Sequence, residues 1–249
     1  MSTTNSSVGV PAPAWIAVDK YTEKSLDTSA PPFAPTKSTL DAAHAHAQAS
    51  GLPDIAVTAS QGKFLMLLAR AARATNILEV GTLGAFSTIW LSHSAGAGAN
   101  KADTNVVTVE FDAHHAKIAR ENLERAGVSD RVSVEVGAGV EVLPRLLEEV
   151  KAGKREPFGF VFIDADKQNN WEYFDVAVQL SVPGGTIVVD NVVRRGNLAD
   201  EELGKQDERI RGSRKVVELA GKDSRVDAVV LQTVGEKGYD GFLLAVVRG

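Results

Sequence analysis

The chain of 249 residues contains no cysteine, and it lacks both long apolar runs and an excess of positive charge. The absence of cysteine excludes disulfides, thiolate metal sites, iron–sulfur clusters and cysteine nucleophiles. Charged residues or glycines interrupt every apolar stretch before it reaches the roughly 20 residues of a membrane helix. The net charge of −5 argues against nucleic acid or an anionic membrane surface as the main partner. We therefore expect a small-molecule ligand.

The N-terminal region carries no recognisable targeting signal. It lacks a basic stretch followed by an apolar one, and its first arginine is Arg70, whereas mitochondrial presequences are rich in arginine. A cytoplasmic location is the expectation that remains, with organellar import left open. Residues 1–38 are rich in Ser, Thr, Ala and Pro, which predicts an irregular arm. Residues 39–249 are expected to form a single domain.

Beyond the arm, apolar strands alternate with helical patterns. Two helices are predicted first, at 39–50 and 58–72. Short apolar runs then indicate buried parallel strands at 77–80, 106–109, 132–136, 158–163 and 186–189. Crossover helices are predicted between them at 87–94, 113–126, 139–150 and 169–180. Two last runs, 228–231 and 242–247, flank residues 235–241 and should pair as an antiparallel hairpin. The fold class is α/β, a doubly wound, Rossmann-like, seven-stranded and mostly parallel sheet with helices on both faces.

A turn with two glycines follows the first predicted strand. Residues 77–84, Ile-Leu-Glu-Val-Gly-Thr-Leu-Gly, lead into a helix, and glycine there lets a ligand approach the backbone. Any α/β crossover needs a tight turn, so this feature alone leaves a purely structural role equally open. The second strand ends in Glu110, whose carboxylate could accept hydrogen bonds from a ribose diol. A solvated strand end is the alternative.

Two cofactors fit a glycine turn followed by an acidic strand end. A nicotinamide-dependent oxidoreductase would normally carry Gly-x-Gly-x-x-Gly, whereas here only two residues separate Gly81 from Gly84. S-adenosylmethionine has no phosphates and carries a positively charged sulfonium. A carboxylate such as Glu79 suits that charge better than a bare helix N-terminus does. The residues therefore favour S-adenosylmethionine, with the oxidoreductase as the rival.

Three carboxylates are predicted to meet at the carboxyl ends of the fourth and fifth strands. Asp164 and Asp166 follow one strand, and Asp190 and Asn191 follow the next. Ligands of open α/β sheets bind at these ends, and crowded carboxylates favour a bound cation. Oxygen ligands of this kind select Mg, Mn or Ca. Taken singly, each aspartate has an alternative role as a cap of the following turn or helix.

Lys167 adjoins these carboxylates, which indicates a role in proton transfer. Near a divalent cation a lysine loses its proton more readily, and it could then accept one from a substrate hydroxyl. An ion pair with Asp166 would have the opposite effect. The sequence has no Gly-x-Ser-x-Gly elbow, which argues against a serine hydrolase.

Four ordered motifs resemble the cation-dependent O-methyltransferases, the family that includes the catechol and caffeoyl-coenzyme A methyltransferases. They are Leu-Glu-Val-Gly-Thr-Leu-Gly (78–84), Val-Phe-Ile-Asp-Ala-Asp-Lys (161–167), Asp-Asn-Val-Val (190–193) and Val-Gly-Glu-Lys-Gly-Tyr-Asp-Gly-Phe (234–242). The resemblance runs from about Val57 to the C-terminus and is nearest to the small-phenol branch of bacteria and fungi. It departs at Ala85-Phe86, where relatives more often have Gly-Tyr, and in the arm before residue 50.

The resemblance implies a metal-dependent O-methyltransferase that acts on a vicinal diphenol of the catechol, caffeoyl or flavonoid type. It assigns the metal to Asp164, Asp190 and Asn191. It assigns catalysis to Lys167 and Asp164. It places S-adenosylmethionine against Val57, Glu79, Gly81, Ser87, Glu110, Ala138, Asp164 and Asp166. It also implies a homodimer. A non-catalytic module that binds S-adenosylmethionine is a further alternative, which the intact metal and lysine positions disfavour.

Segments around the crevice are expected to control substrate choice. These are the arm, residues 192–212 and the hairpin near Tyr239. Tyr239 and Trp171 are candidate aromatic contacts, with core packing as the alternative for Trp171. Arg194 and Arg195 are candidates for meeting an acidic substrate tail, although exposed arginines usually have no such specific role.

Overall fold

The computed structural model describes residues 13–26, 34–94 and 104–249. Its strands are β1 Asn76–Val80, β2 Asn105–Glu110, β3 Val132–Val136, β4 Phe158–Ile163, β5 Ser181–Val189, β6 Val226–Gly235 and β7 Gly238–Val247. Its helices are α1 Ala14–Leu26, α2 Lys37–Ala49, α3 Ala59–Ala71, α4 Phe86–Leu91, α5 Ala113–Arg125, α6 Gly139–Lys151, α7 Asn170–Leu180, α8 Glu201–Gln206 and α9 Glu208–Ala220. Short 3₁₀ segments lie at Ser129–Arg131, Lys167–Asn169 and Arg194–Ala199.

The seven strands form one sheet in the order β3-β2-β1-β4-β5-β7-β6. Strands β1 to β5 run parallel, and β7 pairs antiparallel with both β5 and β6. The predicted fold class is confirmed. Within the described ranges, no helix is both long and apolar enough to cross a membrane.

Helices cover both faces of the central strands, which explains the nearly unbroken apolar runs in the sequence. In β4, Phe160 and Phe162 pack on the side of α3, together with Leu65. Val161 and Ile163 point to the opposite face, where they join the core contributed by α6, α7 and α9. All four β4 side chains are completely buried.

The prediction of an irregular N-terminal arm is wrong over residues 14–26, which form α1. This helix buries none of its side chains. It is held by polar contacts, since Asp19 Oδ2 accepts a hydrogen bond from the backbone N–H of Glu236 at 2.8 Å and Ser60 donates to Glu23. The remainder of the predicted arm at 1–12 and 27–33 lies outside the described residues.

The C-terminal hairpin is also longer than its apolar runs indicate. Gly235 and Gly238 are paired, so only Glu236 and Lys237 form the turn, and residues 238–241 belong to β7 rather than to a loop. Gly238 has a φ of +101°, which favours glycine at this tight turn. As a result, Tyr239 is fixed on a strand beside the site described next.

Candidate active site

The candidate residues come directly after a row of residues that pair side by side across four neighbouring parallel strands. The paired residues of this row are Val80, Val109, Ile163 and Val189. The residues immediately after them are Gly81, Glu110, Asp164 and Asp190. The row therefore brings four of the predicted site positions to one edge of the sheet. That edge includes the switch point between β1 and β4, where doubly wound sheets bind ligands.

Lys167 pairs with Asp164 at this edge. Its Nζ lies 2.5 Å from Asp164 Oδ1, so the partner of the lysine is Asp164 and not Asp166. Helix α9 packs against the 3₁₀ segment Lys167–Asn169, and the backbones come closest at Gly212 of α9. A Cβ atom at Gly212 would lie only 2.1 Å from the carbonyl oxygen of Lys167, so this close approach requires glycine.

Asp190 is a buried carboxylate with two local hydrogen bonds. Its Oδ1 accepts from the backbone N–H of Asn191 at 2.8 Å, and its Oδ2 accepts from Nε2 of Gln61 at 2.7 Å. Burial raises the pKa of Asp190 well above its usual range. The negative charge of Asp164 adds to this rise, and the positive charge of Lys167 opposes it. The cluster therefore holds two acidic groups against a single lysine.

Asn191 completes the candidate metal-ligand set. It has a φ of 55°, in the left-handed region that asparagine tolerates better than most residues. Its side-chain amide has no hydrogen-bond partner in the part of the chain that the structure describes. Within those same residues, no group of three or more His, Cys, Asp or Glu side chains could hold a metal ion. Asn191 would offer its amide oxygen as a further ligand to a cation bound by Asp164 and Asp190.

Glu110 holds the glycine turn in place. Its Oε2 accepts hydrogen bonds from the backbone N–H groups of Thr82 at 3.1 Å and Leu83 at 2.7 Å. Among the described residues, its Oε1 accepts one hydrogen bond, from the backbone N–H of Asp112 at 3.0 Å, and Nδ1 of His115 lies 3.7 Å from it. Each carboxylate oxygen has two lone pairs, so Oε1 keeps the capacity to accept a ribose hydroxyl. The structural and the ligand-binding interpretations of this residue are therefore compatible.

Glu79 lies beneath the turn rather than on an open surface. It is completely buried, and its carboxylate accepts hydrogen bonds from the hydroxyl groups of Ser87, Thr88 and Thr108. Burial raises the pKa of Glu79 from 4.5 to about 7, and the three hydroxyl hydrogen bonds only partly oppose this rise. Ser87 is 8% exposed and covers the carboxylate. Glu79 would reach a bound cofactor directly only if this cover moved.

The remaining cofactor candidates are distributed along the same edge. Gly81 has a φ of +103°, and a Cβ there would lie 2.3 Å from the carbonyl oxygen of Asp164. Ala138 is half-buried directly after β3 and Gly137. Asp166 is exposed and accepts hydrogen bonds from Tyr173 and from the side chain of Asn169. Gly81 is therefore the position where the turn after β1 and the carboxylates after β4 meet.

A cleft of ≈ 760 Å³ opens beside the carboxylates. The predicted site residues that line it are Val57, Asp164, Asp190 and Asn191. All three segments expected to control substrate choice reach its wall, through Asp19 of α1, Arg194 and Tyr239. Trp171 instead stacks on Phe174, with ring centroids 5.9 Å apart, and packs against the core. Core packing is thus its role.

Sequence reasoning missed two residues that shape the site, Gln61 and Gly212. Thr58 and Gln61 have the spacing of a capping box, in which the glutamine would fold back onto the start of its own helix. Thr58 does cap α3, but the Gln61 side chain turns to Asp190 instead. A glycine inside the helical pattern around 212 is a signal of close packing, yet nothing local identifies its partner as Lys167.

The fold is that of a solved methyltransferase. An O-methyltransferase from Bacillus cereus, determined in complex with SAH, is 46% identical and aligns with a TM-score of 0.83 over 94% of this chain and 99% of that one. Together with the glycine turn and the acidic strand end at the switch point, this similarity defines the class. The chain has the Rossmann-like methyltransferase fold.

The sequence relatives indicate that the methyl group is transferred to an oxygen atom. The family profile described as O-methyltransferase matches residues 34–246. O-methyltransferase imqG of Aspergillus flavus is 45% identical over 236 residues, 95% of this chain and 92% of that protein. Catechol O-methyltransferase of Mycobacterium tuberculosis is 49% identical over 209 residues, 84% of this chain and 88% of that protein. The chain belongs to the O-methyltransferase family and is an S-adenosylmethionine-dependent enzyme. This excludes the oxidoreductase and the non-catalytic module that the sequence left open.

Proposed function

We propose that the enzyme transfers a methyl group to one hydroxyl of a vicinal diphenol, of the catechol, caffeoyl or flavonoid type, held through a divalent cation. The observation that carries this proposal is that Asp164, Asp190 and Asn191 line one cleft, with Lys167 paired to Asp164. Two similar relatives are named catechol O-methyltransferases, from Mycobacterium tuberculosis and Niastella koreensis, at 49% and 44% identity. Magnesium is the first choice of metal, with manganese or calcium as alternatives.

The donor set suits a hard cation. Each oxygen of Asp190 accepts one hydrogen bond and has a second lone pair left, and Oδ2 of Asp164 is not engaged by Lys167. Asn191 adds a neutral oxygen. Because burial and Asp164 together raise the pKa of Asp190, a nearby positive charge would favour its ionised form. Binding of a divalent cation would therefore relieve the repulsion between the two acids.

The protein groups then have separate tasks in the transfer. A bound cation would lower the pKa of a coordinated hydroxyl and orient the diol. The accepting hydroxyl oxygen forms its bond to the methyl carbon as the bond from the donor sulfur to that carbon breaks, and the hydroxyl proton passes to Nζ of Lys167. Nζ accepts this proton only in its neutral form, so Lys167 must first release its ammonium proton to solvent, which a cation bound beside Asp164 would favour. Asp164 orients that Nζ through its 2.5 Å contact. Alignment of the two reactants in one cleft contributes the rest of the acceleration.

The test is formation of S-adenosylhomocysteine from a panel of catechols with magnesium, with and without a chelator. We expect the chelator to abolish turnover, and Asp190→Asn to lower kcat/KM by about 100-fold or more while retaining the fold. Asp41→Asn, an exposed carboxylate on α2 that pairs with Lys37, is the matched control. Titration with Mn²⁺ should give weaker binding to Asp190→Asn than to the control. Activity that resists the chelator would contradict the metal-dependent mechanism.

A further inference from the structure

Two consecutive arginines line the same cleft as the carboxylates. Arg194 and Arg195 begin the 3₁₀ segment Arg194–Ala199, which starts three residues after Asn191. Arg194 is half-buried and Arg195 is exposed. Within the described residues, neither guanidinium group forms an ion pair or a hydrogen bond. Positive charge on this wall of the cleft is therefore free to meet a ligand.

The other cations of the cleft are already paired. Nη2 of Arg209 lies 3.3 Å from Oδ2 of Asp207. Lys237 lies 3.7 Å from Asp54 and also donates a hydrogen bond to the carbonyl oxygen of Ala56. Of the basic side chains that line the cleft in the part of the chain described, the two adjacent arginines are thus the ones without a counter-charge.

The backbone holds this pair in an unfavourable conformation. Arg194 and Arg195 have φ values of 53° and 58°, in the left-handed region, and Gly196 follows at 91°. Asp240 stabilises the bend, because its Oδ1 accepts hydrogen bonds from the backbone N–H groups of Arg194 and Gly241, both at 2.9 Å. Consecutive residues in sparsely populated conformations persist where surrounding contacts enforce them, and they cluster at ligand sites.

We propose that Arg194 and Arg195 bind an anionic substituent of the substrate, so that the enzyme prefers catechols that carry a carboxylate. The inference rests on the proposed function, since it places the diol at the metal site and the carboxylate at the arginines. A guanidinium group matches a carboxylate with two parallel hydrogen bonds and cannot lose its charge. In a partly enclosed cleft such contacts discriminate between substrates more strongly than on an open surface.

The experiment uses three substrates with the same ring and diol but different charge. They are 3,4-dihydroxybenzoate, 3,4-dihydroxybenzamide and 3,4-dihydroxybenzylamine, assayed by S-adenosylhomocysteine formation with magnesium. Relative to wild type, Arg194→Gln with Arg195→Gln should lower kcat/KM for the benzoate about tenfold, mainly through KM, and leave the amide unchanged. Arg195→Glu should shift preference towards the amine. Comparing variant with wild type on each substrate cancels intrinsic differences in hydroxyl acidity.

The control and the outcomes separate this inference from the proposed function. Arg125→Gln changes an exposed arginine on α5 outside the cleft lining and should leave all three substrates unaffected. The preference of wild type for the benzoate should weaken with added salt. Equal effects of the double variant on all three substrates would overturn the arginine proposal alone. Absence of turnover of every catechol by wild-type enzyme would instead overturn the proposed function.

Discussion

A methyl group added at Gly212 would collide with the backbone of Lys167, the residue proposed to accept the proton. In Gly212→Ala the new Cβ would lie 2.1 Å from the Lys167 carbonyl oxygen and 2.7 Å from Cα of Gln168. Ordinary contacts of this kind need roughly 3.5 Å, so α9 and the 3₁₀ segment must separate by more than about 1 Å. Since the obstructing atoms belong to the backbone, no side-chain rotation can relieve the clash.

The cost of this separation follows from overpacking and from misplacement of the lysine. Overpacking of a well-packed contact costs about 1–3 kcal/mol, which corresponds to a fall in Tm of roughly 2–12 °C for a chain of this size. A displacement of about 1 Å in a catalytic group can lower the rate about 100-fold. We therefore expect Gly212→Ala to lower kcat by about 10- to 100-fold at temperatures where it is fully folded, with little change in the KM for S-adenosylmethionine.

The matched control is Gly221→Ala at the C-terminal end of the same helix. Gly221 has a φ of −65°, and a Cβ there would meet its nearest atom at 3.5 Å, an ordinary contact. It should retain wild-type kcat and Tm, or gain a little stability from reduced freedom of the unfolded chain. Thermal denaturation measures the Tm of both variants, and initial rates with a catechol substrate measure their kcat. Wild-type kcat and Tm in Gly212→Ala would refute the packing argument.

Three further predictions concern the same edge of the sheet. Gln61→Ala should raise the Mg²⁺ concentration for half-maximal activity about tenfold or more, because residues that orient a metal ligand tune its affinity; unchanged metal titrations would argue against this. Gly81→Ala should lower the free energy of unfolding by at least about 2 kcal/mol in urea denaturation, because its φ of +103° and the 2.3 Å approach to Asp164 both exclude a side chain. Burial raises the pKa of Glu79 in the folded protein to about 7 from 4.5, so the folded state keeps a proton that the unfolded chain releases. Its stabilising contribution, about 3 kcal/mol, should be complete below pH 4.5 and lost as the pH rises through 7. Glu79→Gln should flatten this dependence, and equal slopes for variant and wild type would exclude it.

Much of the site follows from local sequence because parallel strands end together. Asp164 and Asp190 each come directly after a buried apolar run, and the register of β4 with β5 brings them to one edge. The glycine turn at Gly81 and the acidic residue Glu110 can be predicted from the sequence for the same reason, since each follows a buried apolar run. The spacing of apolar residues and the end of a strand are both encoded by neighbouring residues. They can therefore be predicted without knowing which segments pack together.

Other features depended on contacts between distant segments. Helix α1 leaves its apolar residues Trp15, Val18, Tyr21 and Leu26 exposed. It has no buried side chain, and contacts with Glu236 and Ser60 hold it. The partner of Lys167 could be Asp164 or Asp166 on spacing alone. In the structure Lys167 pairs with Asp164, whereas the carboxylate of Asp166 accepts hydrogen bonds from Tyr173 and Asn169.

The residues by themselves thus determined the α/β class, the strand ends and the chemical types gathered there, because periodicity, turn chemistry and charge are encoded within a few neighbours. Tertiary structure alone decided that Gln61 reaches Asp190 and that Gly212 packs against Lys167. The physical reason is that each of these contacts joins segments that are far apart along the chain. Their approach is set by how helices and strands pack, which no local pattern specifies.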